Sequence, residues 1–381
     1  MNYYCIASDF KNETICAYSQ LNQENMGSQI IETYGQITHN NIFEGGRVLK
    51  DIPDIDLQKL KDYIAFSKIK NIAFNYSLNG SCMGNRDLTT QGILDLVRFL
   101  DDLKYAGVTR ITVSIPSLIE LIRSHVPEME IKLSIINQVN TVNKIKEYEK
   151  MGVSRIVIDE SYNRNFDRLK RFQKAFKGEI ELIVNSLCHK DCIYRNYHYN
   201  QTAHDSIPSI QNTASSYYNH RCMLKRASSA EEILKLCWIR PEDIHYYSEI
   251  GINHFKLQGR HTVYHGDPVR TVQAYFSGKY EGNLLDLLEL FNSPYHFKVN
   301  LQNTCLDGFI THFLKPESCI SDCESCQYCA AFLQQRFDVE KFNKMNNTAT
   351  RFYKEIDEYQ KIIDKIAYEK KHMADFNFYW D

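Results

Sequence analysis

Three stretches of the chain repeat one pattern: Gly107-Val-Thr-Arg-Ile111-Thr-Val113, Gly152-Val-Ser-Arg-Ile156-Val-Ile158 and Gly251-Ile-Asn-His-Phe255-Lys-Leu257. Each is a glycine, a β-branched residue, two polar positions and then alternating apolar residues. A glycine that closes a helix as its C′ residue, followed by a short buried strand, accounts for the pattern. Gly107 and Gly152 stand 45 residues apart, and Gly251 follows 99 later, close to two further units. A repeated strand–helix unit has that period, and such units lay their strands in parallel.

Reading outward from these anchors gives strand expectations at Asn71–Tyr76, Arg110–Ile115, Glu130–Ile136, Arg155–Asp159, Glu179–Asn185, Leu236–Arg240 and His254–Gln258. Helical spacing falls between most of them, at Thr89–Ala106, Ser117–His125 and Thr141–Met151. One N-terminal strand, at Tyr3–Ala7 or at Gln29–Gly35, makes eight. The expected fold is α/β: a TIM-like (β/α)8 barrel, complete or imperfect, over residues 1–290, with a doubly wound open sheet as the alternative. The segment 187–231 is too long for a plain connection and is read as an inserted functional loop. Residues 291–381 form a cysteine-rich extension ending in an amphipathic helix. There Phe352, Ile356, Tyr359, Ile363 and Ile366 recur at three and four residues, a stripe expected to pack on the barrel rather than form a coiled-coil seam.

Composition narrows the function. Forty-five basic against 47 acidic side chains give a net charge of −2, so no general basic field recruits nucleic acid or anionic membrane. Only 16 glycines occur, and neither G-x-G-x-x-G nor G-x-x-x-x-G-K-[ST] is present, which speaks against a glycine-rich phosphate cradle. G-x-S-x-G and H-E-x-x-H are missing too. The N-terminal residues carry no basic stretch followed by an apolar run, and no segment has the apolar length of a membrane helix, so a cytoplasmic protein is expected. In that compartment twelve cysteines point to metal ligation or redox chemistry rather than disulfides.

Two cysteine sets stand out. Cys188 and Cys192 follow the strand at Glu179–Asn185, Cys222 lies on the inserted loop and Cys237 lies in the next strand expectation. Four thiolates converging at the C-terminal barrel face would suit one metal centre, iron–sulfur or structural zinc. The second set is Cys319-x3-Cys323-x2-Cys326-x2-Cys329. Its first three members have the spacing of radical S-adenosylmethionine enzymes. The motif follows the barrel instead of opening it, however, and Cys329 offers a fourth thiolate, so a closed second [4Fe–4S] cluster or zinc is expected. Cys5, Cys16 and Cys305 read as inert, while Cys82 sits in a loop that opens onto the same mouth.

Polar residues at strand ends complete the site expectation. Asn75, Asn79, Asp159, Lys256 and Arg260 are the catalytic candidates, with Ser134, Asn185 and Gln258 ringing the same mouth. Arg164 could hold a carboxylate or phosphate bidentately, although helix capping by its asparagine neighbours accounts for the segment as well. His189, His198, His204 and His220 crowd the first cysteine loop.

The run Asn185-Ser-Leu-Cys188-x3-Cys192-Ile-Tyr-Arg195-x2-His198, then Cys222, then Cys237-Trp-Ile-Arg-Pro-Glu-Asp243, resembles the collagenase-like peptidase family U-32. Glu32-Thr-Tyr-Gly35 and the Asn75-Tyr-Ser-Leu-Asn79 loop resemble one branch of it. The resemblance covers residues 1–290. It implies a TIM-like barrel carrying a [4Fe–4S] cluster on Cys188, Cys192, Cys222 and Cys237, as in family members that serve oxygen-independent hydroxylation. The Cys319–Cys329 set lies outside the family's common pattern. The leading expectation is therefore an iron–sulfur enzyme of redox or hydroxylation type. It would act on a small molecule at the barrel mouth, with an electron-donor protein or a family paralogue as partner. A U-32 peptidase is the alternative, and a zinc-stabilised non-catalytic binding scaffold the third reading.

Overall fold

The computed structural model describes residues 1–39, 41–47, 53–207, 217–292, 299–316, 318–319 and 322–374. Eight strands pair in parallel in chain order: β1 (Asn2–Ala7), β2 (Ser28–Gly35), β3 (Ala73–Leu78), β4 (Arg110–Val113), β5 (Glu130–Leu133), β6 (Arg155–Val157), β7 (Glu179–Ile183) and β8 (His254–Leu257). β8 pairs back onto β1, with Cys5 opposite Lys256, and closes the barrel. Closure leaves no edge strand and excludes the open-sheet alternative.

The connections carry the helices α1 (Asn12–Glu24), α2 (Leu57–Ile69), α3 (Thr90–Tyr105), α4 (Pro116–His125), α5 (Val142–Lys150) and α6 (Phe166–Ala175). Between β7 and β8 come α7 (Arg195–His204), α8 (Tyr217–Arg226) and α9 (Ile244–Ser248), and after β8 comes α10 (Pro268–Ser277). The repeated glycines do what their spacing predicts. Gly107, Gly152 and Gly251 have φ of 91°, 83° and 87°. Each donates its N–H three residues back, to Lys104, Glu149 and Ser248, and the next residue donates five back, to Leu103, Tyr148 and Tyr247. That pair of bonds is the Schellman closure. It explains the β-branched position, because Val108, Val153 and Ile252 are the buried residues that seal each helix end.

Two strand expectations are corrected. Both N-terminal candidates form strands, not one. Leu236–Arg240 is not a barrel strand, because β8 takes the side of β7 that it would need, with Glu181 opposite His254 and Ile183 opposite Lys256. The segment keeps a single antiparallel bridge, His189 to Leu236.

The chain divides into two compact units. The first comprises residues 1–212, 236–296 and 300–327 and contains the barrel. The second comprises 213–235, 297–299 and 328–381. Within it α8 packs on the 36-residue helix Val339–Ala374. Arg221 and His220 both face Asp357, and Thr350 donates to the Ala227 carbonyl at 3.2 Å. On the long helix Phe352, Tyr359, Ile363 and Ile366 are exposed. No helix among the described residues is long and apolar enough to cross a membrane.

Candidate functional site

Strand alternation sets one face of each barrel strand outward and the other into the barrel. Here the apolar alternates (Ile131, Leu133, Ile156, Ile180, Leu182, Phe255, Leu257) are fully buried, while the other alternates include buried charges from five strands. Lys132 of β5 is the hub. Its Nζ donates to Glu181 Oε2 at 2.7 Å and to Glu32 Oε1, and lies 3.4 Å from Cys5 Sγ. Arg155 adds contacts of 3.0 Å to Glu32, 3.5 Å to Glu181 and 2.6 Å to Glu179. Arg110 bridges Glu32 at 3.2 Å and Glu130 at 3.1 Å. Burial alone would raise the Glu32 carboxyl, but Lys132 and Arg155 outweigh it and hold it well below the usual range. Cys5, Glu32 and Glu181 lie within 4.8 Å of one another, a spacing that could hold a cation. The Lys132 ammonium already contacts all three and, together with Arg155, balances the two carboxylates, so this floor is read as an ionic lattice and not a metal site.

The mouth lies at the C-terminal strand ends. Arg260, buried after β8, donates to Gln36 Oε1 at 2.6 Å and approaches Asn79 Oδ1 at 3.5 Å. Asn79 accepts from the Gly46 N–H at 3.2 Å and donates to Ser134 Oγ at 3.3 Å. Below them Lys256 lies 4.0 Å from the centroid of the Tyr34 ring and makes no ion pair among the described residues. Burial pushes the Lys256 ammonium down to about 8. His198 and His261 are held down to about 4 and about 3, first by burial and then by the charge of Arg47, so both are neutral at pH 7.

A second buried polar set braces the first cysteine loop. Arg195, at the start of α7, donates to Asp159 Oδ1 at 2.6 Å, Ser161 Oγ at 3.2 Å and the His189 carbonyl at 2.6 Å. Ser186 donates to Glu160 at 2.9 Å, and Asp191 N–H to Ser161 Oγ at 3.1 Å. The loop is thus tied to the end of β6, and the Cys237 N–H donates to the Cys188 carbonyl at 3.0 Å. Cys188 and Cys192 are half-buried and Cys237 is buried, its thiol pushed up by burial. A thiol in that state stays protonated by itself and gives up the proton to a metal. Cys222 belongs to α8 in the second unit. In the tail, Cys319, Cys323 and Cys326 belong to the first unit and Cys329 to the second. Lys190 of the cysteine loop donates to the Cys319 carbonyl at 2.5 Å, and Asp322 caps the turn that carries Cys323 and Cys326.

The sequence matches the model of peptidase family U32 over residues 54–278, more than half of the chain. It is also 30% identical, over 286 residues, to an uncharacterized protease of Methanocaldococcus jannaschii, spanning 75% of this chain and 83% of the relative. This chain belongs to peptidase family U32. Among solved structures, that of the U32 peptidase Mk0906 superposes with a TM-score of 0.50 at 15% identity, covering 67% of this chain and 92% of that one, a likeness of fold. The family membership bears out the resemblance seen in the cysteine run. The U32 designation favours the peptidase alternative over the iron–sulfur hydroxylase reading.

On the U32 barrel the five catalytic candidates separate. Asn79 and Arg260 meet at the mouth, and Lys256 lies beneath them on β8. Asn75 is committed elsewhere, accepting from Thr112 Oγ1 at 2.5 Å. Asp159 is bound by Arg195 and caps its own turn through Ser161 N–H, so it positions the loop. Asn185 clasps the carbonyls of Gln258 and Leu288. Arg164 lies over the Trp238 ring at 4.3 Å and donates to the Trp238 carbonyl. Sequence reasoning passed over Gln36, Arg47, Arg195 and the ionic floor. The signal for the floor was there: Glu130-Ile-Lys132-Leu, Glu179-Ile-Glu181-Leu and His254-Phe-Lys256-Leu put titratable side chains on alternate positions of three strands.

Proposed function

We propose that the protein is an enzyme working at the C-terminal mouth of its barrel, with peptide cleavage as its activity. The U32 designation and the name of the archaeal relative support the activity. The single observation that supports the location is Lys256, a buried amine held near pH 8 beneath Arg260 and Asn79. An amine in that state can take and return a proton near neutrality. The N–H groups of Arg260 and Asn79 would face the carbonyl under attack and stabilise charge developing on it. The test is cleavage of a quenched fluorescent peptide library by the wild type and by Lys256→Met. Loss of cleavage in a folded variant is expected, and undiminished cleavage refutes the assignment.

The second reading is an iron–sulfur enzyme of redox or oxygen-independent hydroxylation type, favoured by the backbone bond that joins Cys237 to Cys188. Cys188, Cys192 and Cys237 offer the donor chemistry an iron–sulfur centre takes. With Cys222 they would hold a [4Fe–4S] cluster, and Cys319, Cys323, Cys326 and Cys329 a second cluster or zinc. Such a cluster, when bound, supplies electron transfer or a Lewis-acidic iron. An electron-donor protein or a family paralogue would then be the partner. Anaerobic purification with iron, sulfide and zinc assays tests it: iron and sulfide in equal amounts support it, and colourless protein with zinc and no sulfide ends it. Peptide cleavage that survives Cys188→Ser and Cys192→Ser separates the two readings. Zinc at the tail cysteines with no turnover is the outcome expected of a binding scaffold.

A further inference from the structure

A buried guanidinium without a counter-charge is costly, and proteins pair such groups or leave them for a ligand. Arg260 is 6% exposed and makes no ion pair with a carboxylate among the described residues. Its partners are two amide oxygens, Gln36 Oε1 at 2.6 Å and Asn79 Oδ1 at 3.5 Å. The charge that acts on it most, Arg47, has the same sign and, after burial, does most to push Arg260 down to about 10. Arg47 also makes no ion pair among the described residues. Lys256 adds a third cation below. Of the other titratable groups around these arginines, burial pushes the Tyr34 and Tyr76 phenols up and the His198 and His261 imidazoles down, so none of them contributes negative charge.

A second observation points the same way. Gln36 is 2% exposed, and its Nε2 has no hydrogen-bond acceptor among the described residues. An orphaned buried donor is costly, and this one sits beside Arg260 in a cleft bounded by Ser8, Phe10, Gly35 and Pro53. Gly46 keeps the rim close: a Cβ there would come within 2.9 Å of Asn79 Nδ2 and 3.0 Å of Arg260 Nη2. The cleft combines a planar cationic fork, a free amide donor and an apolar wall of Phe10 and Pro53. An inorganic phosphate would use the fork and leave the wall idle. A carboxylate on a carbon skeleton uses both.

We propose that Arg260, with the Gln36 amide beside it and Arg47 nearby, is the docking point for the carboxylate of a small organic acid at the barrel mouth. The site binds such an acid whichever reaction the mouth performs, so binding and not turnover is the measurement.

The experiment is isothermal titration calorimetry on the full chain at fixed ionic strength. Phenylacetate, succinate and citrate are the probes, with phenylacetamide, succinamide and inorganic phosphate for comparison. At least one acid should bind, and its amide should not. Arg260→Gln should weaken that binding by about tenfold or more, and Gln36→Leu by about fivefold. Arg98→Gln, an exposed arginine on α3, should leave it unchanged. Circular dichroism establishes that the variants fold, and Gln36→Leu carries the test if Arg260→Gln does not. No binding by any acid, equal binding of acid and amide, binding undiminished in a folded Arg260→Gln or Gln36→Leu, or phosphate binding as tightly as the best acid would each overturn the proposal.

Discussion

Replacing Lys132 with methionine removes the hub of the ionic floor while keeping most of the side-chain volume. Lys132 is 2% exposed, and its loss leaves Glu181 with Arg155 at 3.5 Å as its remaining ion pair among the described residues. Glu32 keeps Arg155 and Arg110, both already shared with other acids. Removing one partner of a buried pair costs about 3–5 kcal/mol, because the other charge stays buried and under-compensated. At about 2 °C per kcal/mol for a chain of this size, the melting temperature should fall by roughly 6–10 °C.

The pH dependence distinguishes this cause from a simple packing loss. In the wild type Glu32 and Glu181 are held below their usual range, Lys132 being the leading opposite charge for both. Carboxylates of that kind contribute stability above their unfolded pKa of about 4.3 and lose it as pH falls through the lower folded value. In Lys132→Met the buried Glu181 is pushed upward, so its folded form binds a proton before the unfolded chain does. The deficit of the variant is then largest near about pH 8 and shrinks toward about pH 5. Urea unfolding at several pH values measures both effects. Lys132→Met/Glu181→Leu should recover part of the loss, since removing both partners leaves less charge stranded. A variant within about 1 kcal/mol of wild type, or a deficit that does not change with pH, would refute the reasoning.

Three further outcomes are expected. Gly107→Ala and Gly152→Ala should each lower stability by about 1–2 kcal/mol in urea titrations, because both positions need a left-handed backbone; an alanine as stable as wild type would contradict the Schellman closure. Lys256 is held near pH 8, whereas an unfolded lysine titrates near about 10.4, so the unfolded chain binds more protons in between. Stability should therefore rise with pH across that window, and Lys256→Met should abolish the rise and raise the melting temperature at neutral pH while abolishing any peptide cleavage. Arg195→Met should release the loop from Asp159 and Ser161, and amide exchange around residues 188–191 should speed up by about tenfold or more while the barrel strands keep their protection; unchanged exchange would mean that the loop is held by other contacts.

Much of the barrel was legible because its signals are local. A helix end sealed by a glycine and a β-branched residue is written in about seven consecutive positions, and β4, β6 and β8 start where the repeat predicts. The N-terminal strands and Leu236–Arg240 were misjudged because a strand's place depends on its partner, not on its composition. Leu236–Arg240 has the apolar run of a barrel strand, yet β8 pairs with β7 in its stead. Of the site, Asn79, Lys256 and Arg260 were legible as polar residues at or beyond strand ends. Asn75 and Asp159 carry the same local signal, and only their bonds to Thr112 and Arg195 remove them from the mouth.

The repeat, the parallel strand–helix order, the family and the two cysteine sets follow from the amino-acid order alone, since each is a matter of spacing along the chain. The interior of the barrel does not. A strand with charges on alternate positions reads as one with a solvated face, and nothing in Glu32 foretells Lys132, 100 residues away. Closing eight strands into a cylinder turned those faces inward, where the charges had to neutralise one another, and left Arg260 and Gln36 at the mouth with no acid among the described residues to meet them.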